Sequence, residues 1–238
     1  MNFNVYGDTK RELAEGHGID VASQRLDELD RLARDFVEHQ RRRHPDQSPL
    51  AMDMGCGAGG LCAALSAAGA DCLGVDRIDF GQAFQRLNDR RAIGGKSAPG
   101  GVRFLLADFL DISPDFSNQY QGAAALIVSQ RALHYTPYPQ AVAAIQQFRG
   151  LLRPDGRLFL GLSGLGSELA QGYAAALVPL EQRFARLAEF MANRHGILQP
   201  ICLYEADDVA RLLTEGGFMP ERIFTSAFGN IKAVAIPR

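Results

Sequence analysis

The sequence predicts an α/β fold, a mostly parallel sheet of seven strands that ends in an antiparallel hairpin. Three observations carry this. From Leu50 onward, short apolar runs alternate with helical stretches, the pattern of strands joined by crossover helices. A glycine-rich run, Gly55-Cys56-Gly57-Ala58-Gly59-Gly60, separates the first apolar run from the first such helix. Near the end, two β-prone runs meet at Gly229-Asn230, a tight-turn pair.

A chain of 238 residues suits one α/β domain with an extension. Its formal net charge is −2, so no global field draws it to nucleic acid. No apolar run approaches the roughly 18 residues that a membrane span needs. The four cysteines, Cys56, Cys62, Cys72 and Cys202, form no C-x-x-C pair and no zinc spacing. They read as reduced thiols of a cytoplasmic protein, and no metal site is expected.

In order, strands are expected over residues 50–54, 71–76, 102–107, 124–129, 157–162, 222–228 and 231–236. Helices are expected over 61–68, 82–91, 138–151 and 205–214, the last closed by Gly216 and Gly217. Gly94 to Gly101 reads as a loop, and Pro154-Asp155-Gly156 as a turn. Residues 1–47 look helical, with Leu26, Leu29, Ala33, Phe36 and Val37 on one apolar stripe. Arg41, Arg42 and Arg43 near its end complement the helix dipole, and could alternatively meet an anionic substrate or RNA. In residues 164–200, Tyr173, Leu177, Leu180, Phe184, Leu187 and Phe190 fall at helical steps, which predicts one or two amphipathic helices divided at Pro179. The organisation is therefore a core (48–163 and 201–238), an N-terminal helical lid (1–47) and a helical insertion over the substrate side (164–200).

The glycine run is where chemistry is expected. Glycines let a backbone turn tightly and approach a ligand, and the helix behind them offers free N–H groups. Asp76 ends the second strand 19 residues after Gly57 (76 − 57 = 19), where an acid binds ribose hydroxyls. These features suit a dinucleotide as well as another adenosine ligand. Asp53, two residues before Gly55, favours an amine-bearing ligand over a pyrophosphate. Asp108-Phe109 follows the third strand, where a carboxylate can accept from an adenine amino group and a ring can pack on its face.

Together these resemble the class I S-adenosylmethionine-dependent methyltransferases over roughly residues 50–163 and 204–237. Asp53-Met54-Gly55-Cys56-Gly57-Ala58-Gly59 resembles the family's first motif, Val75-Asp76 its second, and Ala107-Asp108-Phe109 its third. Val128-Ser129-Gln130-Arg131-Ala132-Leu133-His134-Tyr135 resembles the fourth, in which small-molecule members often carry a Leu-His pair. Leu152-Arg153-Pro154-Asp155-Gly156 resembles the L-x-P-G-G turn, with Asp155 in place of its first glycine. The resemblance implies a Rossmann-like sheet that binds S-adenosyl-L-methionine and releases S-adenosyl-L-homocysteine. Its expected cofactor residues are Asp53, Gly55, Cys56, Gly57, Asp76, Arg77, Asp108, Phe109 and Ser129.

Methyl transfer to a sulfonium carbon needs an aligned acceptor and sometimes a base. His134 is the base candidate, with Tyr135 and Arg131 as acceptor contacts, while Tyr6 and His17 are expected over the cofactor. Ser129-Gln130-Arg131-Ala132 departs from the N/D-P-P-Y/F type that acts on amino groups of DNA bases or glutamine. A small-molecule O- or N-methyltransferase is the leading reading. An RNA or protein methyltransferase, a NAD-binding oxidoreductase and a non-catalytic cofactor-binding module are the alternatives.

Overall fold

The computed structural model describes residues 16–17, 27–93 and 100–238. Tyr6, Leu26 and most of the expected loop from Gly94 lie outside the described residues. Strands β1 (Leu50–Met54), β2 (Asp71–Asp76), β3 (Val102–Leu106), β4 (Ala124–Gln130), β5 (Leu152–Leu162), β8 (Phe218–Thr225) and β9 (Ile231–Pro237) form one sheet, ordered β3-β2-β1-β4-β5-β9-β8. Pairing is parallel from β3 to β5, then antiparallel through β9 and β8. The order reverses beside β1, so the carboxyl ends of β1 and β4 open a crevice there, where ligands of such sheets sit.

One face packs on α5 (Tyr138–Leu151) and α7 (Ala206–Glu215). Met52, Ile127, Leu158 and Leu160 meet Ile145, Phe148, Leu212 and Phe218 in that core. The other face packs on α2 (Gly60–Ala67) and α1 (Glu28–Arg43), joining Leu126, Val128 and Phe159 to Leu65, Leu29, Ala33 and Val37. So α1 is a layer of the core rather than part of a lid. Its apolar stripe is drawn onto the sheet, since each buried side chain of that size stabilises by about 1.5–3 kcal/mol. Asp27 starts this helix by accepting the N–H groups of Leu29 (2.8 Å) and Asp30 (3.2 Å), and Asp30 returns the bond to Asp27 N–H. Arg41, Arg42 and Arg43 occupy its last turn, where Arg41 donates to the Gln47 carbonyl.

The expected elements of the core are present, with four differences. A short helix, α4 (Pro114–Tyr120), lies before β4, capped by Ser113. The turn at Pro154-Asp155-Gly156 is an excursion inside β5, marked by a register jump between Ala124 and Leu126 of β4. Strand β8 begins at Phe218, earlier than expected, and α3 (Gly81–Ile93) is slightly longer than its pattern implied.

The larger correction concerns residues 164–200. An α-helix forms only at α6 (Glu189–His195), with 3₁₀ turns at Glu168–Ala170 and Leu180–Gln182. Strands β6 (Phe184–Ala185) and β7 (Ile201–Cys202) pair antiparallel, so the unit runs past its expected boundary at 200. Tyr173, Leu187, Met191 and Leu203 gather into a third core, while Leu177 is 99% exposed. The Tyr173 hydroxyl lies within hydrogen-bond reach of both the Ile201 carbonyl (2.7 Å) and the Arg183 carbonyl and gives its one proton to either, which ties this irregular backbone together. Buried Arg183 binds Asp208 (2.5 Å) and the Leu203 carbonyl (3.1 Å), which holds the insertion against α7.

Lys232 sits fully buried at the start of β9, and composition and periodicity gave no hint of its partners. Its ammonium donates to Asp27 (2.5 Å) and to the side-chain oxygen of Gln130, whose amide donates to Asp30. Burial alone would raise the Asp27 carboxyl, but the Lys232 charge and the hydrogen bonds around it more than reverse this and hold it below the ordinary range. A carboxyl lowered in the folded state stabilises the fold above its unfolded value and loses that contribution as pH falls through the folded one. Stability is therefore expected to drop below about pH 4. In urea titrations, Asp27→Asn should flatten that acid limb, and an unchanged limb would assign it to other carboxyls.

Candidate active site

The chain leaves β1 at Met54 and turns sharply before entering α2. Gly55 (φ +86°), Gly57 (φ +51°) and Gly59 (φ +80°) all take left-handed conformations. A Cβ on Gly55 would stand 2.3 Å from that of Ala132, and one on Gly59 would stand 2.7 Å from the Phe84 ring. Only glycine fits at these two positions. Helix α2 has Gly59 as its cap and no side chain bonded to its first N–H groups. The N–H groups of Gly55, Cys56, Gly57 and Gly59 are engaged within the fold, so the turn offers a ligand the uncapped first N–H groups of α2 and the positive end of its dipole.

The turn's own side chains do not fill it. Cys56 is buried, and its sulfur lies 2.8 Å from where a Cβ on Gly74 would stand, beneath the turn. Burial pushes its thiol, and that of Cys62, well up, so both stay protonated. All four cysteines are unpaired and buried. Asp53 is buried below the turn and accepts the Cys62 thiol at 3.7 Å.

Asp76 accepts the Gly57 N–H at 2.9 Å and the Ile78 N–H at 3.0 Å, one on each oxygen. Each oxygen retains a lone pair at the carboxyl end of β2. Asp108 accepts the Leu110 N–H at 2.9 Å on one oxygen only. The Phe109 ring lies edge-on to Phe148 at 6.0 Å, with Cε1 3.6 Å from where a Gly55 Cβ would stand. Ser129 is buried at the end of β4 and donates to the Met54 carbonyl (3.0 Å), which braces β4 against β1. Exposed Arg77 meets the Nε2 of His17.

Past β4, Arg131 is the single non-glycine residue among those described with positive φ (+56°). Its N–H donates to the Gly161 carbonyl at 2.7 Å, which holds the strained backbone in place. Its Nε is buried without a partner. A 3₁₀ turn follows, Leu133–Tyr135. Leu133 joins the sheet core and Tyr135 packs on the insertion core. His134 is buried with no hydrogen bond at either ring nitrogen, and its ring lies 4.2 Å from that of Tyr135. Burial first, then the charges of Arg131 and His17, push its pKa down to about 3. At neutral pH it is an uncharged imidazole, and a weak base. His17 completes the roof. It pairs with Ile197 of the insertion and sets its ring 4.9 Å from Tyr135.

The structure thus brings Asp53, Gly55, Cys56, Gly57 and Asp76 together around one turn, with Phe109 against it. Arg131, His134 and Tyr135 form a second group past β4. Asn193 and Arg194 are exposed on α6, and His195 pairs with Glu168 at 2.9 Å. Residues that sequence reasoning missed are Gln130 and Lys232; a lone lysine in the apolar run Ile231–Pro237 was the available signal. Replacing Arg131 by glycine should relieve about 1 kcal/mol of left-handed strain. Chemical denaturation should then show a variant at least as stable as the parent, and a clear loss would mean the side chain holds the fold.

The matching family is the methyltransferase domain family, whose model covers residues 24–222. The chain belongs to it, and is a class I S-adenosylmethionine-dependent methyltransferase with a Rossmann-like sheet. No curated protein matches the sequence. Among solved structures it is similar to the 1,6-didemethyltoxoflavin N1-methyltransferase of Burkholderia thailandensis, with bound 1,6-didemethyltoxoflavin and S-adenosylhomocysteine. That likeness is 16% identity and a TM-score of 0.57 over 88% of this chain and 78% of that one. A SAM-dependent methyltransferase of Methanosarcina mazei is 19% identical, with a TM-score of 0.60 over 82% and 95%. The SAM-bound magnesium protoporphyrin IX methyltransferase of Synechocystis PCC 6803 is 18% identical, with a TM-score of 0.55 over 99% and 88%. At these identities the likeness is one of fold.

Proposed function

We propose that this enzyme methylates an oxygen or nitrogen of a small-molecule acceptor held between the end of β4 and the insertion. The observation that carries this is the roof: Tyr135 packs on the insertion core and on His17, which itself pairs with Ile197. Such a cover encloses a small acceptor and excludes water from it. The Burkholderia neighbour, crystallised with 1,6-didemethyltoxoflavin, is consistent with it.

The residues around the turn fit S-adenosylmethionine. The uncapped start of α2 suits its carboxylate, Asp53 below the turn would face its amine, and the free lone pairs of Asp76 suit its ribose hydroxyls. Asp108 and Phe109 would receive the adenine. When bound, the cofactor supplies an activated methyl group on a good leaving group. The chain then has to align the acceptor and keep water out. Neutral His134 suits a hydrogen-bonding, orienting role better than proton removal. Among the described residues no helix is long and apolar enough to cross a membrane, and the unpaired thiols fit our reading of a cytoplasmic enzyme.

Calorimetry with S-adenosylhomocysteine should show one site per chain, and turnover of the acceptor should change little between low and physiological salt. Activity on an RNA acceptor would instead fall steeply with salt. NADH binding with no response to S-adenosylhomocysteine would replace this reading with that of an oxidoreductase.

A further inference from the structure

We propose that the acceptor presents an ionised oxygen, received by the Arg131 guanidinium and the His134 imidazole at the carboxyl end of β4. This rests on the methyl-transfer reading above. Arg131 has no carboxylate within ion-pair distance among the described residues. Asp30 feels its charge but forms no ion pair with it, its carboxylate accepting from Gln130 and from the Asp27 N–H. The other nearby cation, Lys232, is engaged by Asp27 and Gln130. His134 stands three residues on, in a turn whose neighbouring side chains face the two cores. A 3₁₀ turn spaces its residues by about a third of a rotation, which leaves His134 a direction of its own.

Buried polar atoms without partners are rare in folded proteins and call for a partner. Arginine offers only donors, and a neutral imidazole offers one more. An oxygen acceptor satisfies both, and a negative one also answers the unpaired guanidinium. An ammonium would meet the Arg131 guanidinium and would be repelled. Ionisation also removes the need for a base. A lone pair on the oxygen forms the new O–C bond to the methyl carbon as the S–C bond breaks, and that bond's electron pair stays on sulfur. The negative oxygen and positive sulfonium both become neutral, and no proton moves. A histidine kept uncharged at neutral pH agrees with this. Two sources share the chemistry, a carboxylate and an acidic phenol or enol.

The test uses the full chain saturated with S-adenosylhomocysteine, at mildly alkaline pH, with ligand-observed NMR affinities. The probes are benzoate, 4-nitrophenolate, benzamide and benzylamine. At least one anion should bind about tenfold more tightly than benzamide and benzylamine, and Arg131→Gln should remove that preference while benzamide stays within about threefold. Arg131→Gly, which also frees the backbone, should lose the preference without melting earlier. Benzoate as the stronger anion assigns a carboxylate, and 4-nitrophenolate assigns a phenol or enol. Equal binding of all probes, no anion binding, or a preference that survives both substitutions overturns the inference. A parent chain that fails to bind S-adenosylhomocysteine overturns the methyl-transfer reading itself.

Discussion

Asp76→Ala should weaken S-adenosylhomocysteine binding by about 100-fold, the largest effect expected of any single side chain here. The carboxylate has two duties. It braces the glycine turn through the Gly57 N–H and its own loop through the Ile78 N–H. Its remaining lone pairs are placed for vicinal hydroxyls. A hundredfold is about 2.8 kcal/mol, and a hydrogen bond to a charged group is worth about 1.5–3 kcal/mol, so the net loss of one such contact accounts for the figure. Asp76→Asn retains one acceptor oxygen and should fall between alanine and the parent. Calorimetry on the three chains, with circular dichroism to confirm folding, decides the matter. Alanine binding within about threefold of the parent would move the ribose away from Asp76.

How much of this was legible in the sequence depends on how local each cause is. The turn from β1 to α2 could be read because three left-handed residues demand glycine, and the demand is written in the residues that meet it. The final hairpin was legible for the same reason, although β8 starts earlier than its β-prone run suggested. The insertion was not. Tyr173, Leu180 and Leu187 are buried as a helical stripe would have them, but Leu177 between them points to solvent. Their burial comes from bonds made far along the chain, such as Tyr173 to Ile201, and periodicity cannot see these. Helix α4 buries none of its residues, so it has no stripe to detect, although Ser113 and Pro114 mark its start. In the site, the residues of the turn follow from spacing. The unpaired state of Arg131 and His134 follows only from what surrounds them in space.

Lys232 shows the same limit at its strongest, since its partner Asp27 lies 205 residues away. Lys232→Met should destabilise the fold by about 2–4 kcal/mol. That is under the 3–5 typical when one partner of a fully buried pair is removed. The discount follows from Asp27, whose side chain is 34% exposed and regains some water. For a chain of this size, the melting temperature should fall by roughly 5–15 °C. The loss comes from the groups left behind, the Asp27 carboxylate and the Gln130 oxygen, rather than from methionine, which fits the apolar strand. Adding Asp27→Asn should therefore restore much of the stability, because removing both charges of a buried pair is often neutral. A double variant no better than the single one would show that the ammonium acts through packing alone. The substitution also reaches the site. Gln130, which accepts from Lys232, immediately precedes strained Arg131. Releasing this pin should raise the KM for the acceptor several-fold while the S-adenosylhomocysteine affinity, set on the far side of β1, stays close to that of the parent.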